Sequence, residues 1–176
     1  PAFLDEHPVV TPANGTRFVT PTRLSVAGPD GTPQYLIAVI NDLTERKRNE
    51  QRIEHMAHHD ALTELPNRTA FNERMVSTIG LASVSGESFA LLSMDLDRFK
   101  SVNDVFGHDI GDGLLREVAR RLEAACQGAF LSRLGGDEFA VIAPAGTKPA
   151  AAEAPAGRML TAPGSHIDIN GHTVRV

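Results

Sequence analysis

The sequence predicts an α/β (α+β) protein, antiparallel strands with helices against them. Three observations carry this prediction. Short apolar, strand-like runs at 88–95, 129–134 and 139–142 are separated by amphipathic stretches long enough for helices. Gly135-Gly136 stands between the last two runs. Gly-Gly is a preferred centre for a two-residue hairpin turn, because both residues accept φ > 0. A strand–turn–strand segment and a charged helix precede this block.

Each element has its own signal. Residues 16–26 and 34–40 read as two strands joined by Gly28-Pro29-Asp30-Gly31-Thr32-Pro33, a strong hairpin signal. Residues 43–58 read as a charged helix, with Asp42 and Glu45 as a capping box. Its apolar stripe, Ile53, Met56 and Ala57, gives way upstream to Arg46 and Asn49 or Glu50, which makes a weak coiled coil at best. His55, His58 and His59 have the spacing of one helix face. Only Asp60 stands by to complete a Zn²⁺ set, so packed or solvated histidines are the better reading. Residues 64–78 suggest a helix entered at Pro66. Residues 88–95 form a buried-looking strand and 98–106 a short helix. Over 112–126, Leu115, Val118, Ala119, Leu122 and Cys126 follow helical spacing. Residues 144–164 are rich in Ala, Pro and Gly. Pro155 and Pro163 would break or kink a helix there, and poor order is expected. Asn170-Gly171 marks a last hairpin within 166–176.

Composition excludes several classes. Across 176 residues the net charge is −5 and the basic residues are scattered, so no nucleic-acid partner is expected. Cys126 is the single cysteine, which rules out an internal disulfide and suits a reducing compartment. No apolar stretch approaches the roughly 18 residues of a membrane span. A cytoplasmic location is expected. The chain opens with Pro1-Ala2-Phe3 and reads as starting inside a domain, which leaves an anchor upstream of residue 1 open.

Carboxylates gather where strands end. Asp137 and Glu138 follow the Gly-Gly turn at once, and Asp95 and Asp97 follow Ser93-Met94. If these strands pair, three or four acids crowd one sheet edge. Facing like charges are destabilising and raise one another's pKa. A bound hard cation relieves the conflict, and carboxylates plus a backbone carbonyl suit Mg²⁺.

The run Arg133-Leu134-Gly135-Gly136-Asp137-Glu138-Phe139 resembles the signature of the GGDEF, or diguanylate cyclase, family. So do Asp60-Ala61-Leu62-Thr63 with Leu65-Pro66-Asn67-Arg68, then Asp95-Leu96-Asp97-Arg98-Phe99-Lys100-Ser101-Val102-Asn103-Asp104, then Gly107-His108-Asp109-Ile110-Gly111-Asp112. Four motifs in order, from about residue 50 onward, are far more specific than one pentapeptide. The resemblance implies the ferredoxin-like sheet of the nucleotide-cyclase palm. It also implies that a completing strand and a later phosphate-binding helix lie beyond Val176. The residues shown here would then be inactive, or nearly so, by themselves. Residues 16–47 resemble the closing hairpin and exit of a PAS sensor domain. The expected organisation is the C-terminal part of a PAS domain at 1–42, a signalling helix at 43–58 and a truncated GGDEF domain at 59–176.

The reaction implied by the resemblance joins two GTP into cyclic di-GMP across a homodimer, assisted by Mg²⁺ or Mn²⁺. Carried over by position, Asp95, the Leu96 carbonyl and Asp137 are the metal ligands. Glu138 lies beside the reacting hydroxyl, and which of Asp137 and Glu138 acts as base stays open. Lys100 and the free N–H groups near residue 98 meet phosphate. Asn103 and Asp112 read guanine, Asp112 accepting from N1–H and N2–H₂ while doubling as a helix N-cap. His108 orders a Gly107–Gly111 loop. Gly135 and Gly136 let backbone approach the nucleotide.

Two positions depart from the family pattern. Its R-x-x-D product-inhibition site falls on Cys126 and Ala129, so feedback inhibition there is expected to be absent. Glu64 stands where a Gly is common. The competing reading is a GTP-binding regulatory module of a tandem GGDEF–EAL cyclic di-GMP phosphodiesterase, with the EAL domain fused downstream. The segment Ile169–Val176 resembles such proteins.

Overall fold

The computed structural model describes residues 7–12, 15–126, 128–143, 146–147, 149–164 and 166–175. The chain divides into two compact units, one up to His55 and one from Met56 onward.

The first unit is an antiparallel sheet of β1 (His7–Thr11), β2 (Gly15–Ala27) and β3 (Pro33–Asp42), in that order. The sequence does not announce β1. Pro8 interrupts its short apolar run, and proline demotes a strand reading; it is tolerated here because β1 is an edge strand. The β2–β3 turn closes as expected, with Gly31 N–H donating to the Gly28 carbonyl at 3.0 Å. Asp30 accepts from the Thr32 N–H and hydroxyl.

Helix α1 (Thr44–His58) follows β3 directly. Asp42 Oδ1 accepts from Thr44 N–H at 2.9 Å and Oδ2 pairs with Arg17. Thr44 Oγ1 in turn accepts from Phe18 N–H. Bonds to Thr44, then to Arg17, hold the Asp42 carboxyl down at about 2. The expected box with Glu45 is thus replaced, among the described bonds, by Arg17 and Thr44 around Asp42.

The second unit contains α2 (Arg68–Ser85), β4 (Leu91–Met94), α3 (Phe99–Phe106), α4 (His108–Cys126), β5 (Phe130–Gly135), β6 (Glu138–Ile142), α5 (Pro149–Thr161), β7 (Ile167–Ile169) and β8 (His172–Val174). Strand β6 is central in the order β4-β6-β5, and both pairings are antiparallel. Its run Phe139-Ala140-Val141-Ile142 is buried on both faces. Helix α4 packs over the core with Leu114, Leu115, Val118 and Leu122, all essentially inaccessible. Each such leucine contributes about 1.5–3 kcal/mol through burial. Strands β7 and β8 form the expected hairpin, with Asn170 and Gly171 both at positive φ in the turn. Of its 166–176 span, residue 176 lies outside the described residues.

Several boundaries differ from the sequence reading. Pro66 does not open α2: it bridges to His59, and Asn67 caps the helix by accepting from Thr69 and Ala70 N–H. Helix α2 also runs on to Ser85. Strand β4 is shorter than 88–95 and only half-buried. Ala90 and Ser88 still accept from Ala143 and Gly146, but Asp95 has left the ladder. Helix α4 begins at His108 rather than at 112. Gly107 ends α3 at φ 86 and the chain turns straight into the next helix. Helix α5 forms across the Ala/Pro-rich stretch, starting at Pro149, where the missing N–H costs nothing. Of that stretch, residues 144, 145 and 148 lie outside the described set.

Candidate active site

The site stands at the β4–β6 end of the sheet, opposite the β6–α5 connection. Met94 pairs with Phe139, so Asp95 leaves β4 where Glu138 enters β6. The Asp95 carboxyl is pushed above its ordinary value, first by the charge of Asp137, then by burial, Glu138 and Asp97. Four acids therefore share one electrostatic neighbourhood, as the sequence suggested. Leu96 is buried and its carbonyl accepts from Phe99 N–H at 3.2 Å. Arg98 follows in the left-handed region at φ 61, and Lys100 stands exposed in the first turn of α3.

The hairpin carries the other acids, but not as the Gly-Gly pair predicted. Gly135 pairs with Glu138, so Gly136 and Asp137 are the two turn residues. Gly135, at φ 136, closes a bulge at Leu134, and Gly136 takes φ 57. Asp137 lies at the hairpin tip and Glu138 on the strand, so their division follows from turn against strand and not from alternation along one strand.

Residues remote in sequence support this tip. Arg133 is buried and donates through Nε and a terminal nitrogen to the Gly136 carbonyl. Its other nitrogen meets Asp60 Oδ1 at 2.7 Å. Burial pushes the Asp60 carboxyl up, but bonds from Thr63 and Arg133 outweigh it and the net shift is downward. Arg68, in the first turn of α2, donates to the Leu134 carbonyl at 3.0 Å and to Glu138 Oε2 at 3.2 Å. Asn67 Nδ2 ties the same corner to the Ala57 carbonyl. Sequence alone assigns no role to Asp60, Arg68 or Arg133. Their membership in two of the family-like motifs is the signal that could have found them.

The remaining expected residues lie on α3 and α4. Asn103 is half-buried on α3, with Gly111 of α4 against its amide. Asp112 lies within the second turn of α4 and does not cap it, because that helix starts at His108. His108 therefore orders no Gly107–Gly111 loop; it is the first, exposed residue of α4. His58 lies 3.3 Å from Glu73 and pairs with it across α1 and α2.

The donor set fits a hard divalent cation: crowded carboxylates that repel one another, beside a backbone carbonyl with a second lone pair. Among the described residues no group of three or more His, Cys, Asp or Glu side chains converges on one point. The expected set needs only two, Asp95 and Asp137. A cavity of about 300 Å³ lies along the free edge of β4, between Leu92, Met94, Met159 and Leu160. It touches Asp95 alone among the expected residues and is too apolar to be a triphosphate site.

This fold and acid cluster define a protein of the nucleotide-cyclase palm type. Residues 57–176 match the family described as diguanylate cyclase, GGDEF domain, and the chain belongs to that family. An uncharacterised signalling protein of Caulobacter vibrioides is 45% identical over 131 residues, 73% of this chain and 16% of the relative. The diguanylate cyclase DgcM of Escherichia coli is 40% identical over 112 residues, 63% of this chain and 27% of the relative. This chain thus spans between about a sixth and a quarter of these curated relatives. A crystal structure of a sensory box/GGDEF family protein from Caulobacter crescentus superposes with a TM-score of 0.63 at 43% identity, covering 67% of this chain and 77% of that one.

Proposed function

We propose that this chain serves a diguanylate cyclase, joining two GTP into cyclic di-GMP with release of two pyrophosphates. In each half-reaction a 3′-hydroxyl oxygen attacks the α-phosphorus of the facing GTP. The bond from that phosphorus to pyrophosphate breaks, and the hydroxyl proton passes to a base. Each GTP attacks the other, so two chains face one another as a homodimer. The reading is carried by the mutual repulsion of Asp95, Asp137, Glu138 and Asp97 at one sheet end.

Asp95, the Leu96 carbonyl and Asp137 would hold Mg²⁺ or Mn²⁺. When bound, such an ion offsets triphosphate charge and lowers the pKa of the attacking hydroxyl. Glu138, held by Arg68, stands beside that hydroxyl. Lys100 and the N–H groups of the first turn of α3 take phosphate charge. Asn103 and Asp112 read guanine: Asp112 accepts from N1–H and N2–H₂, and adenine, lacking that donor pair, leaves a carboxylate unpaired. Gly135 and Gly136 keep side chains away from the nucleotide.

The first unit is read as the end of a PAS sensor domain (residues 1–42), with 43–58 as the helix that connects it to the cyclase domain. An antiparallel sheet leading straight into a charged helix through Asp42 and Thr44 supports this. Among the described residues no helix is long and apolar enough to cross a membrane. The alternative, a GTP-binding module regulating an attached EAL phosphodiesterase, draws on the same acids and gains no observation of its own.

The test is synthesis of cyclic di-GMP from GTP and Mg²⁺ by the full-length protein. Asp95→Ala and Asp137→Ala should each lower turnover by more than about a hundredfold, since each removes several kcal/mol of charge stabilisation. Unchanged turnover in a folded variant overturns the assignment.

A further inference from the structure

Gly111 lies inside α4, where alanine would be the better helix former. A Cβ at this position would overlap Asn103 Oδ1, lie 3.0 Å from Asn103 Cγ and lie 3.4 Å from Phe99 Cζ. That same Oδ1 is sealed from solvent and accepts no hydrogen bond, alone in this among the buried side-chain polar atoms of the described residues. Two costs meet at one point: a glycine within a helix, and an acceptor buried without a donor. Selection for stability alone would remove both, with alanine at 111 and an apolar side chain at 103. Their coincidence marks a geometry kept for a ligand.

We propose that Gly111 is a positioning residue that sets base specificity by locking the orientation of the Asn103 amide. The inference rests on the reading of Asn103 as a guanine contact. An asparagine amide on an open surface flips freely, exchanging donor for acceptor, and would serve guanine and adenine alike. Here the absence of a Cβ lets the amide lie against the α4 backbone with its oxygen inward. Flipping would press the NH₂ group, larger by two hydrogens, into Gly111. The planar amide therefore presents Nδ2 outward as a fixed donor. Guanine offers the acceptor O6 beside its N1–H, where adenine carries an amino donor. A donor that cannot turn over meets adenine donor to donor. With a methyl at 111 the amide is displaced from α4 and regains its rotation.

The test uses full-length protein with Mg²⁺. Equilibrium binding of GTP and of ATP is measured by calorimetry, and kcat/KM for cyclic di-GMP synthesis is measured alongside. Gly111→Ala should fold and lose tenfold or more of the GTP-over-ATP preference in binding. In an Asn103→Ala background, adding Gly111→Ala should change the preference less than twofold, because the side chain it displaces is gone. Should Gly111→Ala fail to fold, the double variant, freed of the overlap, should fold and behave as Asn103→Ala does. An undiminished preference in Gly111→Ala overturns the inference. So does an equal loss in both backgrounds, or a double variant that does not fold. Wild-type protein that binds ATP as tightly as GTP would overturn the guanine reading itself, and this inference with it.

Discussion

Asp95 carries a charge that its neighbours resist. Its folded pKa is raised, so the folded state binds a proton more readily than the unfolded chain. The repulsion destabilises the fold above that raised pKa and is relieved as pH falls through it. A divalent cation should give the same relief at neutral pH. Mg²⁺ at ten times its Kd should therefore stabilise the protein by about 1.4 kcal/mol, read as a rise in melting temperature. Asp137→Asn should lower the Asp95 pKa toward 3.8, followed by carboxyl-carbon NMR titration, and should erase most of the Mg²⁺ effect. An Asp95 titration indifferent to Asp137 would mean the two carboxylates do not share a cation.

Two arginines hold the hairpin with opposite economies. Arg133 is buried, with its side chain 9% exposed against Asp60. Removing it strands a half-buried carboxylate and the Gly136 carbonyl, so Arg133→Ala should cost about 3–5 kcal/mol in urea denaturation. Arg68 and Glu138 are 60% and 53% exposed, and such a pair is worth under about 1 kcal/mol. Arg68→Ala should keep the midpoint nearly unchanged yet lower kcat about tenfold with little change in KM, because its task is to fix a carboxylate and the Leu134 carbonyl. Equal stability losses in both variants would refute this division. These supports also show where sequence reading ends. The order of helices and strands is legible, because burial imposes a period of 3.6 or 2 on residues such as Leu115, Val118 and Leu122. The acids are legible through their motifs. Ion pairs such as Asp60–Arg133 and Arg68–Glu138 join residues 73 and 70 apart and leave no period. Boundaries failed where packing overrode local preference. Gly111 and Gly113 sit inside α4 because Asn103 and Ile169 fill the space of their side chains. The turn centre moved because a bulge at Leu134, invisible to composition, shifts the hairpin by one residue.

At the scale of the whole molecule the question is regulation. Cys126 closes α4 as a buried thiol, and its carbonyl accepts from Ala129 N–H at 3.1 Å. Burial pushes the thiol up, against a smaller opposing effect of Arg158. Neither Cys126 nor Ala129 can clamp a phosphate diester. Initial rates of the full-length protein should therefore stay flat as cyclic di-GMP is added, up to concentrations where it competes with GTP. Strong non-competitive inhibition that survives Arg158→Ala would place a product site elsewhere. Without product inhibition, and on the proposed sensor reading, output would follow input alone, through the segment that ends in Asp42 and Thr44.

The bulge at Leu134 has a consequence for heredity. Arg133 and Phe139 are paired across the hairpin, and the five residues 134–138 between them set how far its tip projects. Exchange of one letter there alters a side chain. Loss of one letter withdraws the tip and removes the carbonyl that Arg68 grips. It also moves Asp137 away from Asp95, although every acid is still encoded. In descendants of this chain, the number of residues in that loop should drift far less than their identity.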